Sequence, residues 1–248
     1  MNLVLDLGNS YGKIAVCEGN KVIESAVYPL IGMKEISYFT TRYGDIQGVI
    51  ISSVVNHSRE LIDYLSTTFE TFLELNPSTP LPVKNHYKTP DTLGYDRIAA
   101  VTGAHTIYPD NNVLVIDAGT ALTYDMVTAE GEYLGGNISP GMNMRFKALN
   151  KFTNRLPLLS VGDEKIELLG TSTDEAIISG VVNGVIQEIE GFILTVSQRF
   201  TDLKVVMTGG DAISFDLRLK SSTFVIAHLN LIGLNRILDY NAWKKNEE

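Results

Sequence analysis

Two stretches of this 248-residue chain follow one pattern, in which an apolar run suited to a buried β-strand ends in an aspartate, one further residue and a glycine. The first is VLDLGNS at positions 4–10 and the second is VIDAGTA at positions 115–121. A shift of 111 residues places Asp6 on Asp117, and the glycines then coincide as well. A repeat of this length exceeds the units of solenoid proteins. The chain is therefore expected to form two similar domains that face each other across a cleft.

Hydrophobic periodicity gives both halves the same element order, β-β-β-α-β-α. We therefore predict an α/β protein with domains at residues 1–111 and 112–248. A stretch with four prolines between residues 77 and 90 is too broken for a regular element. The predicted strands are 3–5, 13–17, 22–28, 48–54, 112–117, 122–127, 133–138, 204–208 and 225–226, and the predicted helices are 34–43, 58–69, 98–107, 141–149, 173–200 and 230–241.

Charge and cysteine content exclude several classes of protein. The net charge of −9, without any block of Lys and Arg, argues against a protein that wraps nucleic acid. The single cysteine, Cys17, permits no intrachain disulfide and no CxxC metal site. The first strand begins at residue 3 and leaves no room for a signal peptide, and no apolar run approaches the roughly 20 residues of a membrane span. We expect a cytoplasmic protein that binds neither nucleic acid nor membranes.

The two Asp-x-Gly turns suit the binding of a phosphorylated ligand. Glycine lets a ligand approach the backbone closely, and exposed amides beside Asn or Ser side chains hydrogen-bond phosphate oxygens. A bound phosphate is accompanied by a divalent cation, and Asp6 can coordinate this cation directly or through water. The alternative for Asp6 alone is an Asx-turn, in which the carboxylate bonds its own backbone. The equivalent position of Asp117 favours phosphate binding over that alternative.

A third glycine turn, TGGDA, follows the predicted strand 204–208 and leads into a helix. Gly209 and Gly210 allow a flat ring or a ribose to pack on the backbone, and Asp211 is available to hydroxyl groups. Gly-Gly also occurs in ordinary turns, so this motif indicates a nucleotide site only in combination with the two Asp-x-Gly turns.

Five motifs, DLGNS, GYDR, DAGTALTYD, GGNISPG and TGGDA, resemble those of type III pantothenate kinases in their order and spacing. The resemblance covers essentially the whole chain. It implies an α/β fold of two duplicated ribonuclease H-like (actin-like ATPase) domains. It also implies ATP-dependent phosphorylation of pantothenate to phosphopantothenate, the first step of coenzyme A biosynthesis, by a homodimer. The chain departs from the family pattern at Tyr95, where a small residue is common, and at Ser172, where Asn is frequent.

The resemblance further implies roles for individual residues. Asp96 is similar to the catalytic general base, and Asp117 to the residue that holds a monovalent cation, K⁺ or NH₄⁺. Asp6 would hold the Mg²⁺ of MgATP through water, and Thr173 would reach pantothenate from the partner subunit, with the site shared across the interface. The implied ATP-binding residues are Asp6, Leu7, Gly8, Asn9, Ser10, Tyr11, Gly12, Lys13, Thr120, Gly209 and Gly210, and the implied substrate-binding residues are Tyr87, Gly94, Tyr95, Asp96, Arg97 and Thr173.

The residue types in GYDR fit phosphoryl transfer to an alcohol, which needs an in-line acceptor oxygen, charge neutralisation and a proton acceptor. Asp96 can take the proton, because a carboxylate suffices as a base when the proton leaves late in a loose transition state. Arg97 presents a guanidinium fork that suits a carboxylate such as the one on pantothenate. The alternative is that both residues only cap the predicted helix 98–107.

Other functions remain open on the same fold. They are a kinase for another small hydroxy acid or sugar, a phosphatase of the exopolyphosphatase kind, a non-catalytic accessory transcription regulator, and an actin- or Hsp70-like ATPase. GYDR together with Tyr87 favours pantothenate as the substrate over another hydroxy acid or sugar. The acidic balance and the presence of Asp6, Asp96 and Asp117 argue against the regulator, and 248 residues leave no room for the inserted subdomains of actin or Hsp70.

Overall fold

A computed structural model describes residues 1–8, 11–53, 58–162 and 165–245. The chain folds into two compact units, each made of more than one segment. Unit 1 contains Met1–Asp110, Val127–Gly135 and His228–Glu248, and unit 2 contains Asn111–Met126 and Gly136–Ala227.

Unit 1 is built on a sheet of β1 (Asn2–Leu7), β2 (Gly12–Glu18), β3 (Lys21–Tyr28), β4 (Gly48–Ser53) and β5 (Thr71–Glu74). The strand order is β3-β2-β1-β4-β5. The first three strands form an antiparallel meander, whereas β4 and β5 run parallel to β1. A further short strand, β6 (Lys84–Asn85), also belongs to this unit.

A second sheet repeats this arrangement with β7 (Val113–Ala118), β8 (Ala121–Val127), β9 (Glu132–Pro140), β10 (Lys204–Thr208) and β11 (Phe224–Val225). Its full order is β11-β10-β7-β8-β9-β6, and residues Val127–Gly135 of β8, β9 and their turn belong to unit 1. The part β9-β8-β7-β10-β11 has the order of the first sheet, with the same parallel neighbours on one side of the first strand. Strand β7 lies 111 residues after β1 at both ends. The predicted internal duplication is confirmed, and the fold is α/β with two ribonuclease H-like domains.

Helices cover the sheets and close an apolar core in each unit. Phe39 and Leu65 pack with the strand residues Leu5 and Ile51 in unit 1. Tyr124, Phe146, Val185 and Met207 are among the residues that form the core of unit 2. The helices are α1 (Met33–Arg42), α2 (Arg59–Thr68), α3 (Tyr95–Ile107), α4 (Met142–Phe152), α5 (Thr173–Ser197), α6 (Ala212–Asp216) and α7 (Leu229–Lys245).

The last helix differs from the predicted domain division. We predicted that residues 112–248 form the second domain, but α7 packs on α3, β1 and β4 and belongs to unit 1. The physical reason is a close helix–helix contact at Gly103 and Gly233, where a Cβ on either residue would overlap backbone atoms of the opposite helix. A contact of this kind depends on the absence of side chains and leaves no periodic signal in the sequence.

Several predicted boundaries also differ from the observed ones. Strand β5 was not predicted, and α3 begins three residues earlier than predicted, so Asp96 and Arg97 lie inside its first turn. Ser172 is the N-cap residue of α5, and its hydroxyl accepts a hydrogen bond from the Glu175 amide at 3.2 Å. Tertiary pairing with β4 orders the short β5 segment, which has only four residues.

Helix α5 passes the length and composition test for a membrane-spanning segment, with 44% of its most apolar window buried. The expectation that no apolar stretch reaches this length was therefore wrong. Val181, Val185 and Ile189 of this helix belong to the core of unit 2. Burial within the protein thus accounts for its apolar character.

Candidate active site

The two repeated aspartates lie at equivalent places in their sheets. Asp6 ends the central strand β1 and is in register with Ser52 of the parallel strand β4. Asp117 ends β7 and is in register with Thr208 of the parallel strand β10. Ligands of open α/β sheets bind outside the carboxyl ends of the parallel strands. Each unit therefore presents an aspartate at the edge where a ligand is expected.

Asp6 has an unusual electrostatic setting within unit 1. Burial raises the pKa of its carboxyl group and the nearby Asp96 carboxylate raises it further, whereas Lys13 and a hydrogen bond with Ser52 lower it. Lys13 is the cross-strand partner of Asp6 on β2. Folding thus brings Asp6, Lys13 and Asp96 together, although Asp96 is 90 residues away in sequence. Two carboxylates beside one lysine suit a ligand that arrives with its own cation.

The first turn is only partly described. The Gly8 amide donates a hydrogen bond to the Tyr11 carbonyl oxygen at 3.1 Å, which closes the hairpin between β1 and β2. Asn9 and Ser10, predicted to contact phosphate, lie outside the described residues. Tyr11 is 61% exposed at the tip, whereas Leu7 and Gly12 are buried. Gly8 and Tyr11 are therefore the exposed residues in the described part of the predicted phosphate loop.

The GYDR segment forms the start of α3. Gly94 is the N-cap residue, and a Cβ there would overlap Oδ1 of Asp96. The same Oδ1 accepts a hydrogen bond from the Arg97 amide at 2.8 Å. Asp96 is exposed, and Tyr95 is partly exposed beside it. The carboxylate is thus fixed by one oxygen while the residue remains open to solvent, which suits a group that receives a proton from a substrate.

Arg97 is 95% buried and lies against Tyr87. Its guanidinium carbon is 5.3 Å from the centre of the Tyr87 ring, and its Nη1 is 3.4 Å from the Tyr87 hydroxyl. The structure therefore brings together two predicted substrate-binding residues that lie ten positions apart.

In unit 2 the second hairpin and the TGGDA turn contact each other. The Gly119 amide donates to the Ala121 carbonyl at 3.0 Å, and the Asp211 amide donates to the Ala118 carbonyl at 3.0 Å. Gly209 has φ +94°, and a Cβ there would lie 2.5 Å from both the Ala118 carbonyl oxygen and Asp117 Oδ1. The two turns thus leave a cradle of oxygen atoms that only glycine permits.

Thr173 and Arg145 line an apolar cavity of about 840 Å³ between α4 and α5. Arg145 is held by Glu188 at 2.5 Å and by the Ser139 hydroxyl at 3.0 Å, and Tyr124 also donates to Glu188. Thr173 is a predicted substrate-binding residue, whereas the position of Arg145 in the sequence left open whether it lies near the cleft or on a helix surface. Its network joins residues up to 64 positions apart, which no local motif reveals.

The described residues include no group of three or more His, Cys, Asp and Glu side chains that could hold a metal by themselves. Asp6 alone supplies a carboxylate at the first turn, which fits a Mg²⁺ ion held mainly by phosphate oxygens and water. The carboxylate and carbonyl oxygens around Gly209 fit a larger monovalent cation at Asp117, because they form a cradle of hard oxygen ligands.

The repeated sheet order, with an acidic glycine turn at the carboxyl end of each central strand, defines the class of actin-like ATPases and related kinases. Similarity to solved structures agrees with this class. A protein from Campylobacter jejuni, described as a conserved candidate transcriptional activator of the Baf family, has a TM-score of 0.60 at 23% identity and covers 97% of this chain and 98% of its own. The ROK hexokinase of Thermus thermophilus has a TM-score of 0.51 at 11% identity, with 97% and 99% covered. These likenesses concern the fold alone.

Sequence similarity is more specific. The profile of the type III pantothenate kinase family matches residues 2–195. A type III pantothenate kinase of Phocaeicola vulgatus is 45% identical over 241 residues, which are 97% of this chain and 99% of that protein. The chain belongs to the type III pantothenate kinase family.

Proposed function

We propose that this protein transfers the terminal phosphoryl group of ATP to pantothenate, in the first step of coenzyme A biosynthesis. The observation that carries the proposal, beside family membership, is the pairing of Asp6 with Lys13 at the carboxyl edge of the unit 1 sheet, where the Asp96 carboxylate helps to raise the pKa of the Asp6 carboxyl group. Phosphoryl transfer depends mainly on positioning and charge compensation. A phosphate loop beside an exposed carboxylate supplies both.

Asp96 acts as the general base and accepts the proton of the pantothenate hydroxyl as the phosphoryl group transfers. Its fixed oxygen, bonded to the Arg97 amide, orients the other oxygen toward the substrate. Arg97 binds the pantothenate carboxylate, with Tyr87, Gly94 and Tyr95 lining the same pocket. The two charged side chains of GYDR thus contact different groups of the substrate: Asp96 its hydroxyl group and Arg97 its carboxylate.

The nucleotide contacts come from three glycine turns. The first loop, from Asp6 to Lys13 and including Asn9 and Ser10, binds the phosphates, and Thr120 adds a hydroxyl contact. Gly209 and Gly210 pack on the nucleoside. Mg²⁺ bound near Asp6 would neutralise charge on the phosphates, and a monovalent cation near Asp117 would do the same.

The protein is proposed to act in the cytoplasm as a homodimer in which Thr173 reaches the pantothenate of the partner subunit. The position of Thr173 on the wall of an open apolar cavity supports a role at a ligand. Light scattering of the purified protein tests the dimer.

Release of ADP from ATP and Mg²⁺ tests the activity. We expect release only when pantothenate is present, and several-fold faster release in potassium than in sodium buffer. Asp117→Asn should remove the difference between the two buffers, because it removes the charge that holds the cation. ADP release without pantothenate would indicate an ATPase, and no release in any buffer would favour the non-catalytic regulator.

Substitution of Gly209 tests the nucleotide turn. Gly209→Ala is expected to raise KM for ATP about 10-fold, because a strained backbone of this kind costs on the order of 1–3 kcal/mol and the turn must move to relieve it. The KM for pantothenate should change little. Gly44→Ala serves as the control outside the nucleotide turn, since a Cβ there meets no atom within 4 Å, and both its thermal midpoint and its KM for ATP should equal those of the wild type. An unchanged KM for ATP in Gly209→Ala would remove this turn from the nucleotide site.

A further inference from the structure

Tyr133 stacks on Tyr87, which in turn contacts Arg97, and no motif assigns it a role. Its ring is parallel to the Tyr87 ring, with centres 6.3 Å apart and planes inclined by 3°. This separation is in the range of offset-stacked aromatic pairs. Tyr133 is 99% buried, whereas Tyr87 is partly exposed. The buried ring thus gives Tyr87, which contacts the Arg97 guanidinium, a fixed neighbour.

The backbone around Tyr133 also holds the segment that carries Tyr87. Asn85 of β6 is in register with Tyr133 of β9, and the His86 amide donates to the Tyr133 carbonyl oxygen at 3.0 Å. The Asn85 side chain in turn accepts a hydrogen bond from the Tyr87 amide at 2.9 Å. One residue therefore controls both the main chain and the ring position of Tyr87.

Gly135 lies beside the Tyr87 ring. It has φ +96°, and a Cβ there would make ordinary van der Waals contact with Cδ2 of Tyr87 at 3.4 Å. The Tyr87 ring therefore lies close to β9 at both Gly135 and Tyr133. With its partners fixed in this way, Tyr87 has little freedom to move from the guanidinium.

We propose that Tyr133 is a positioning residue that sets the selectivity for a substrate carboxylate, by fixing Tyr87 and through it the Arg97 guanidinium. This inference rests on the proposed function, in which Arg97 binds the carboxylate of pantothenate. Arg97 is nearly enclosed, so its packing rather than free rotation determines where its donors point. Without the Tyr133 ring, Tyr87 loses a fixed neighbour, and the contact that Tyr87 makes with the guanidinium is less well ordered.

The experiment compares pantothenate with pantothenol, in which a hydroxymethyl group replaces the carboxylate. Tyr133→Leu is expected to raise KM for pantothenate about 5- to 10-fold, the range that loss of one aromatic stack produces. The KM for ATP and the kcat/KM for pantothenol should stay the same. The ratio of the two kcat/KM values should therefore fall toward one, and Tyr133→Phe, which keeps the ring, should restore it.

The control for core damage is Phe39→Leu, which removes a fully buried ring from the core of the same unit. It should lower the thermal midpoint but keep the selectivity ratio. If Tyr133→Leu fails to fold, Tyr133→Met is measured in its place, since it also lacks the ring but has a longer, more flexible side chain that adapts to an irregular gap. An unchanged ratio without the ring, or an equal fall in Phe39→Leu, would overturn the inference.

Two further assays separate this inference from the proposed function. The wild type must discriminate between pantothenate and pantothenol, and Arg97→Gln must lose that discrimination. If both hold and the Tyr133 variants keep the wild-type ratio, only the positioning role is wrong. If the wild type shows no pantothenate-dependent ADP release, the proposed function and the inference fail together.

Discussion

Replacing Asp96 by asparagine should lower kcat for pantothenate phosphorylation by at least about 100-fold, the lower end of what a positioned general base contributes. Asparagine has almost the same shape, and its amide oxygen can accept the Arg97 amide hydrogen bond that Asp96 Oδ1 accepts at 2.8 Å. The start of α3 should therefore remain intact. The effect should appear in kcat, because the lost group acts on the proton that leaves in the transition state.

The matched control for this variant is Asp91→Asn, an exposed aspartate five residues earlier on a short 3-10 turn. It removes the same charge from the same region and should keep wild-type kcat. Equal KM values for ATP in both variants would show that the nucleotide site is intact. Wild-type turnover in Asp96→Asn would exclude Asp96 as the base and would leave it as a helix-capping residue.

Alanine at Gly233 should destabilise the protein by about 3 kcal/mol, the upper part of the range for overpacked cores. A Cβ at this position would overlap the carbonyl oxygen of Ala99 and lie 2.8 Å from the Gly103 amide nitrogen. Both are main-chain atoms of α3, so the strain is relieved only by moving one helix away from the other. For a chain of this size the thermal midpoint should fall by about 6–12 °C.

The control for Gly233→Ala is Gly191→Ala in α5, where a Cβ meets nothing within 4 Å. Alanine favours helix over glycine by about 1 kcal/mol, so this variant should be equal to or more stable than the wild type. A comparison of urea unfolding curves gives both values. If Gly233→Ala is as stable as Gly191→Ala, the close contact between α3 and α7 is wrong. The family assignment would be unaffected.

In unit 1, local sequence patterns predicted the main strands and helices. The apolar runs located β1 and β4 within a few residues, and the helical period located α1 and α2. The repeat of Asp6 at Asp117 indicated a duplicated fold, and the shared strand order confirmed it. These features could be predicted from the sequence because each depends on the spacing of residues along one segment.

The candidate site could be predicted only in part, because motifs describe the spacing of residues along one segment and not contacts between segments. Motifs named Asp6, Asp96, Arg97 and Tyr87, but not that Asp96 acts on the carboxyl group of Asp6 or that Tyr87 covers Arg97. Tyr133 carried no signal at all. Its place under Tyr87 depends on the register between β6 and β9, whose paired residues are 48 positions apart.

The sequence by itself therefore determined the duplicated α/β architecture, the two acidic glycine turns and the chemical groups available for phosphoryl transfer, since periodicity and motif spacing are local properties of the chain. Only the tertiary structure decided that α7 joins unit 1, that Asp6 and Asp96 share one electrostatic environment, and that Tyr87 contacts both Tyr133 and Arg97. The physical reason is that each of these arises from packing between segments distant in sequence, where steric fit and burial set the outcome.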